Sequence, residues 1–305
     1  MSRFFQALQR AEMERVHQRR RAGDQQPAVS SEPNAPFPLP PVSTARLSPV
    51  PRRQDETSFP IRGLPLSLER VDPRLVSLSG TITPAAEQYR RICYLVRDLN
   101  RNANLSVLAI TSPAAGDGKT TTAINVAGTL AQTPEAKVLL IDLDLRRPSV
   151  AQALGLNIPD SPGLTDVVLQ EHIPLSEVLR RYPQFNLTVL PAGHVSETPH
   201  HVLNSPRLGE VFLEMRQQYD YLIVDTPPLL PFPDCQLLTR WLDGFIMVIA
   251  AHRTPRGMVE AAIPLIEAEK MVGVIFNGGD DRSMSEYSSY YGDRYPARKI
   301  TKLAS

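Results

Sequence analysis

The chain has 305 residues, is 42% hydrophobic with 6% aromatics, and carries a formal net charge of +1. That length holds one sizeable α/β domain with extensions or two small domains, and the near-neutral charge gives no electrostatic reason to expect a nucleic-acid partner. The two cysteines, Cys93 and Cys235, lack metal-ligand spacing and read as idle thiols of a reducing cytosol. No apolar run reaches the roughly 18 residues needed to cross a bilayer, and charges interrupt the N-terminus where a signal peptide would be apolar. The expected location is the cytoplasm, with any membrane contact peripheral.

Residues 1–22 contain "SRFFQALQRAEMERVHQRRR". Ser2 can cap a helix, Phe4, Leu8, Ala11 and Val16 make a narrow apolar stripe, and the cations gather at the C-terminal end, where the helix dipole favours them. The pattern predicts an amphipathic basic helix that docks on a partner, lies on an anionic membrane, or stays solvated. Residues 23–80, including "QQPAVSSEPNAPFPLPPVS", are rich in proline, serine and charge and predict a disordered linker. A segment wrapped over the following domain near "IRGLPLSLERV" is the alternative.

The pattern changes over 81–280. "TPAAEQYRRICYLVRDLNR" reads as a helix with Thr83 as cap, Pro84 in the first turn, and Tyr89, Ile92, Val96 and Leu99 along one face. Strand-length apolar runs follow at "LSVLAIT", "KVLLIDLDL", "NLTVLPA", "YDYLIVDTPP", "GFIMVIAA" and "VGVIFN", with helical segments at 119–132, 205–218, 235–242 and 255–270. Strands apolar on both faces that alternate with helices predict an α/β fold, a mostly parallel sheet covered by helices on both sides. Residues 281–305 are polar and without apolar period, which predicts a flexible tail.

Between the first strand and the next helix lies "TSPAAGDGKTTTAINVA". A loop in that context turns backbone N–H groups toward an anion at a helix N-terminus, and Gly116 and Gly118 let the backbone approach it closely. Ala115, Gly116, Asp117, Gly118, Lys119, Thr120 and Thr121 are therefore the expected phosphate-binding residues, and the fold is expected to be P-loop NTPase-like. Lys119 supplies charge to the outer phosphates and the Thr120 hydroxyl is a ligand for Mg²⁺. Pro113 stands where the general motif has glycine. Two strands deliver further acids to the carboxyl end of the sheet, where ligands of such folds sit: "KVLLIDLDLRRP" brings Asp142 and Asp144, and "YDYLIVDTPP" brings Asp225. Together they make sense as metal ligands or as a base, since unpaired carboxylates at an apolar strand end are costly.

From about residue 80 to 295 the combination resembles the bacterial tyrosine kinases of polysaccharide biosynthesis, P-loop ATPase relatives unrelated to eukaryotic protein kinases. The resemblance rests on the Gly-Lys-Thr loop, "LLIDLDLRRP", "YDYLIVDTPP" with Asp234 soon after, "NLTVLPAG", "GVIFNG" and a tyrosine-bearing C-terminus. It implies ATP and Mg²⁺ as cofactors, with Lys119, Asp142, Asp144 and Asp225 catalytic and Thr120, Asp142 and Asp225 holding the metal, Asp225 through water. It also implies that Asp142 or Asp144 takes the proton of an incoming phenol, that Arg146 stabilises developing charge or serves an interface, and that Asn277 contacts the base. The implied acceptors are Tyr287, Tyr290, Tyr291 and Tyr295, four of the nine tyrosines of the chain.

The resemblance further implies a homo-oligomer and a separate membrane-embedded polysaccharide chain-length regulator that recruits the protein to the inner face of the membrane. Glu87 and Arg90 match the family's ring-assembly pattern Glu-x-x-Arg-x-x-Arg, but its third position is Cys93. Two other activities fit parts of the pattern. A partitioning-type ATPase switch would carry an additional lysine where this chain has Ala114, and a nucleotide-binding scaffold of an export complex would not need the intact acids.

Overall fold

The computed structural model describes residues 62–63, 71–80, 83–156, 158, 161–170, 172–182, 185–194 and 198–279. The expected N-terminal helix over 1–22, most of the 23–80 linker and the tail with its four tyrosines lie outside the described residues.

Each apolar run expected as a strand is one: β2 (Val107–Thr111), β3 (Val138–Asp142), β5 (Leu187–Leu190), β6 (Tyr221–Asp225), β7 (Gly244–Ala250) and β8 (Met271–Asn277). These six are mutually parallel, and two short strands, β1 (Arg62–Gly63) and β4 (Arg180–Tyr182), extend the sheet to the order β1-β4-β5-β3-β6-β2-β7-β8. β4 runs antiparallel to β5, and β1 runs parallel to β4. Neither short strand has enough alternating apolar residues to announce itself in the sequence.

The reason for apolarity on both faces is the period of two along a strand. In β2, Val107 and Ala109 enter one hydrophobic core while Leu108 and Ile110 enter the other, and β3, β6 and β7 divide their side chains the same way. The first core is covered by α4 (Leu164–Leu169), α5 (Leu175–Val178), α6 (Pro199–Asn204), α7 (Pro206–Gln218) and α8 (Asp234–Leu238). The second is covered by α1 (Pro84–Ala103), α2 (Lys119–Ala131) and α3 (Val150–Ala153). α1 begins as the sequence suggests: the Thr83 side chain accepts a hydrogen bond from Ala86 N across 3.1 Å, and Pro84 occupies the first turn, where its missing N–H costs nothing.

Two expectations need correction. The helix expected over 255–270 is α9 (Arg256–Ala262) followed by two 3-10 turns, Ile263–Leu265 and Ala268–Lys270. Pro264 lacks an N–H and its ring clashes with the preceding turn, so the α-helix stops there. The linker boundary at residue 80 is also too late. Residues 71–80 pack along α2, with Leu75 and Leu78 buried in the second core. Asn125, inside α2 and fully buried, accepts from Ser77 N at 3.0 Å and donates to Arg74 O at 3.0 Å. Gly128 allows the approach, since a Cβ there would lie 2.5 Å from Ser77 Oγ and 2.9 Å from Leu78 Cδ2. The strap also reaches α3, through Asp72 N donating to Ala153 O at 3.0 Å. It therefore bridges the helix after the glycine loop and the helix after the β3 acids.

Candidate phosphate-binding and catalytic site

The loop from Ser112 to Gly118 crosses from the carboxyl end of β2 to α2, with Gly116 at φ +87° and Gly118 at φ +96°. Ala115 and Gly116 form its exposed crest, while Asp117 is buried. The N–H groups of Lys119, Thr120 and Thr121 open α2 and have no acceptors within the helix, which makes them donors for an anion. Asp117 has a different part from the one its loop position suggests. Its carboxylate braces the loop, accepting from Ala114 N at 3.1 Å and from the Thr254 hydroxyl at 2.7 Å. Asn277, at the end of β8, donates to the backbone oxygen of Asp117 across 3.0 Å, so its side chain sits against the loop. A Cβ on Gly118 would come within 2.0 Å of that amide nitrogen.

The loop and both acid-bearing strands meet. Lys119 Nζ donates to Asp144 Oδ2 at 2.6 Å and stands 3.9 Å from Asp225 Oδ1. The Thr120 hydroxyl donates to Asp225 Oδ2 at 2.7 Å, and Asp142 is the register partner of Asp225 across β3 and β6. Asp142 Oδ2 accepts from the N–H groups of Ser149 and Val150, each at 3.0 Å. The other oxygens, Asp142 Oδ1 and Asp225 Oδ1, are buried without a hydrogen-bond partner.

Burial sets the electrostatics. Desolvation raises the Asp142 carboxyl above the ordinary carboxylate range, and the nearby Asp225 charge raises it further. Desolvation also raises Asp225, against the opposing pull of Lys119 and the Thr120 hydrogen bond. Burial alone would lower Lys119, but Asp225 and Asp144 outweigh it, so the ammonium stays charged.

The orphaned oxygens of Asp142 and Asp225, with the Thr120 hydroxyl bonded to Asp225, fit a hard divalent cation. Among the described residues no group of three or more His, Cys, Asp or Glu makes a closed metal cage. Two carboxylates and a hydroxyl suit Mg²⁺, which keeps waters and shares phosphate oxygens instead of demanding an all-protein shell.

Sequence reading missed two supports of this site. Ser149 places its hydroxyl 3.1 Å from Thr120 Oγ1 while its N–H holds Asp142, and Thr254 holds Asp117. The available signal was a serine or threonine next to a short helix, which reads equally well as an ordinary cap. Arg146, expected to meet developing charge or an interface, is paired within the chain. It donates to Asp234 at 2.7 and 3.0 Å, with its guanidinium 3.7 Å from the centre of the Phe232 ring. Cys93 faces the second core and its Sγ donates to Val126 O at 3.4 Å, while Glu87 and Arg90 pair with each other on the exposed face.

Comparison with known proteins places the chain in a family. The AAA domain family matches residues 105–257, the stretch that holds the loop and all three acids. Tyrosine-protein kinase YwqD of Bacillus subtilis is 33% identical over 227 residues, covering 74% of this chain and 94% of that protein. This chain belongs to the bacterial tyrosine kinase family. Tyrosine-protein kinase CpsD of Streptococcus agalactiae is 34% identical over 197 residues, 63% of this chain and 84% of its own. The crystal structure of the chimerical protein CapA2B2 superposes with a TM-score of 0.62 at 26% identity, over 72% of this chain and 93% of that one. The family shares the mostly parallel P-loop sheet expected from sequence, and the paired acids of β3 and β6 lie where that sheet binds ligands.

Proposed function

We propose that the protein is an ATP-dependent protein-tyrosine autokinase that regulates exopolysaccharide or capsule biosynthesis and export, with tyrosines of its own C-terminal segment as acceptors. The carrying observation is the meeting of Lys119 and Thr120 with Asp142, Asp144 and Asp225 in a chain of the tyrosine kinase family. The loop N–H groups and Lys119 bind the triphosphate, and Asn277 borders the base. Thr120, Asp142 and Asp225 hold Mg²⁺, which when bound neutralises phosphate charge. The phenol oxygen of Tyr287, Tyr290, Tyr291 or Tyr295 attacks the γ-phosphorus, the bond to the β,γ-bridging oxygen breaks, and ADP departs. Asp142 or Asp144 takes the phenolic proton directly or through one water, Asp144 being the one that Lys119 engages at 2.6 Å.

The tail of one subunit enters the site of another in a homo-oligomer, and a membrane-embedded chain-length regulator recruits and activates the protein through residues 1–60. Each added phosphate brings nearly two negative charges and loosens subunit contacts. Incubating the purified protein with labelled ATP tests the reading. Label on tyrosine that disappears in Lys119→Met, and in a variant with all four tail tyrosines replaced by phenylalanine, is expected. Phosphate release without label on protein would make it an ATPase switch, and ATP binding with neither outcome a scaffold. Unchanged membrane recruitment after deletion of residues 1–60 would remove the role given to that segment.

A further inference from the structure

We infer that Arg253 is a nucleotide-binding residue whose guanidinium gives the phosphate chain of ATP a second positive charge beside Lys119; the inference rests on the ATP site proposed above. A Cβ built on Gly116, at the exposed crest of the glycine loop, would lie 3.4 Å from Arg253 Nη2. The guanidinium therefore stands next to the stretch of backbone that faces the anion, although it comes from the turn after β7, 137 residues further along the chain.

That turn is fastened to the loop on two sides. The Thr254 hydroxyl accepts from Ala250 N at 3.1 Å and donates to Asp117 Oδ1 at 2.7 Å. Ala251 N donates to Asn277 O at 2.7 Å, and the Asn277 amide donates back to Asp117 O at 3.0 Å. His252, with φ +60°, takes the left-handed conformation that turns the chain so that Arg253 follows over the loop. A cation on a turn held this way needs little reorganisation to meet an anion.

The charge balance at the site calls for such a cation. The Lys119 ammonium is already offset by Asp144 at 2.6 Å and Asp225 at 3.9 Å, and Arg146 is spent on Asp234. Alanine stands at 114, so the loop itself brings no second lysine. Arg253 is exposed, and its guanidinium makes no hydrogen bond or ion pair among the described residues. Its planar fork of donors matches phosphate oxygens two at a time, which a lysine ammonium cannot do.

The test is titration of the full chain with a fluorescent ATP analogue and Mg²⁺, for the wild type, Arg253→Ala and Arg253→Lys, at two salt concentrations, together with steady-state kinetics. Arg253→Ala is expected to weaken binding about tenfold, a typical loss for one charge-assisted phosphate contact, and to flatten the salt dependence. Arg253→Lys is expected to restore part of the affinity. KM for ATP should rise while kcat stays near wild type, because the contact serves ground state and transition state alike. Melting temperature should be unchanged, since the side chain is exposed and makes no ion pair among the described residues. Equal affinity of wild type and Arg253→Ala would overturn the inference and leave the ATP site standing. A wild-type protein that fails to bind the analogue would instead overturn the ATP site itself.

Discussion

The Lys119 ammonium and the Asp144 carboxylate, 10% and 4% exposed, form a 2.6 Å ion pair that ties the glycine loop to the end of β3. Removing either partner strands a buried charge, and breaking a buried pair in this way costs about 3–5 kcal/mol. Lys119→Met should be the worse of the two, because Asp142 and Asp225 lose the same counter-charge. Its deficit should shrink in acid, where the carboxylates protonate. Denaturant unfolding of both single variants and the double variant checks this. A double-variant loss equal to the sum of the single losses would show that the pair is not coupled.

The raised carboxyls of Asp142 and Asp225 give stability a definite pH dependence. In the unfolded chain these groups ionise near 3.8, and in the folded chain higher. Between those values the folded state holds more protons, so the contribution of these groups to unfolding free energy falls as pH rises through that window and stays low above it. Asp142→Asn should therefore be more stable than wild type above the window and lose that advantage below it. Melting temperatures from pH 4 to 9 test the sign. The gain in melting temperature on adding Mg²⁺ with ATP should also grow with pH in wild type, because a bound cation favours the ionised carboxylates.

The strap over α2 makes a prediction that reverses with context. Gly128→Ala forces a Cβ against Ser77 Oγ and Leu78 Cδ2, at 2.5 and 2.9 Å, and should destabilise the full chain by about 1–3 kcal/mol. With residues 1–80 deleted the obstacle is gone, and the same substitution should be neutral or stabilising by about 0.5–1 kcal/mol from helix propensity. Calorimetry on the four proteins gives the answer. The same sign in both backgrounds would mean that residues 71–80 do not lie where the structure has them.

Gly118 is confined twice, by φ +96° and by the Asn277 amide 2.0 Å from where a Cβ would stand. Gly118→Ala should abolish nucleotide binding measurably by titration. Adding Asn277→Ala should remove the collision but leave the backbone strain, so recovery should be partial. Full recovery would show that the contact, and not the left-handed backbone, restricts this position.

The central strands were legible because burial on both faces imposes an apolar run that few other arrangements require, as in "YLIVD" and "GFIMVIA". The glycine loop was legible because its chemistry is local: a turn, two glycines and a lysine in ten residues. β1 and β4 were not, since two- and three-residue strands exist only through their pairing. The end of α9 is marked in the sequence by Pro264, which lies in the 3-10 turn that follows it.

The candidate site divides in the same way. Residue type and order along the chain singled out Lys119, Thr120, Asp142, Asp144 and Asp225 as candidates, and the fold brings them together. Which acid meets the lysine, which oxygens stay unshared, why Arg146 is withdrawn to Asp234, and that Thr254 and Arg253 reach the glycine loop were settled only by the tertiary fold. These are contacts between segments far apart in sequence. Their distances follow from sheet order and side-chain packing, which no local pattern encodes.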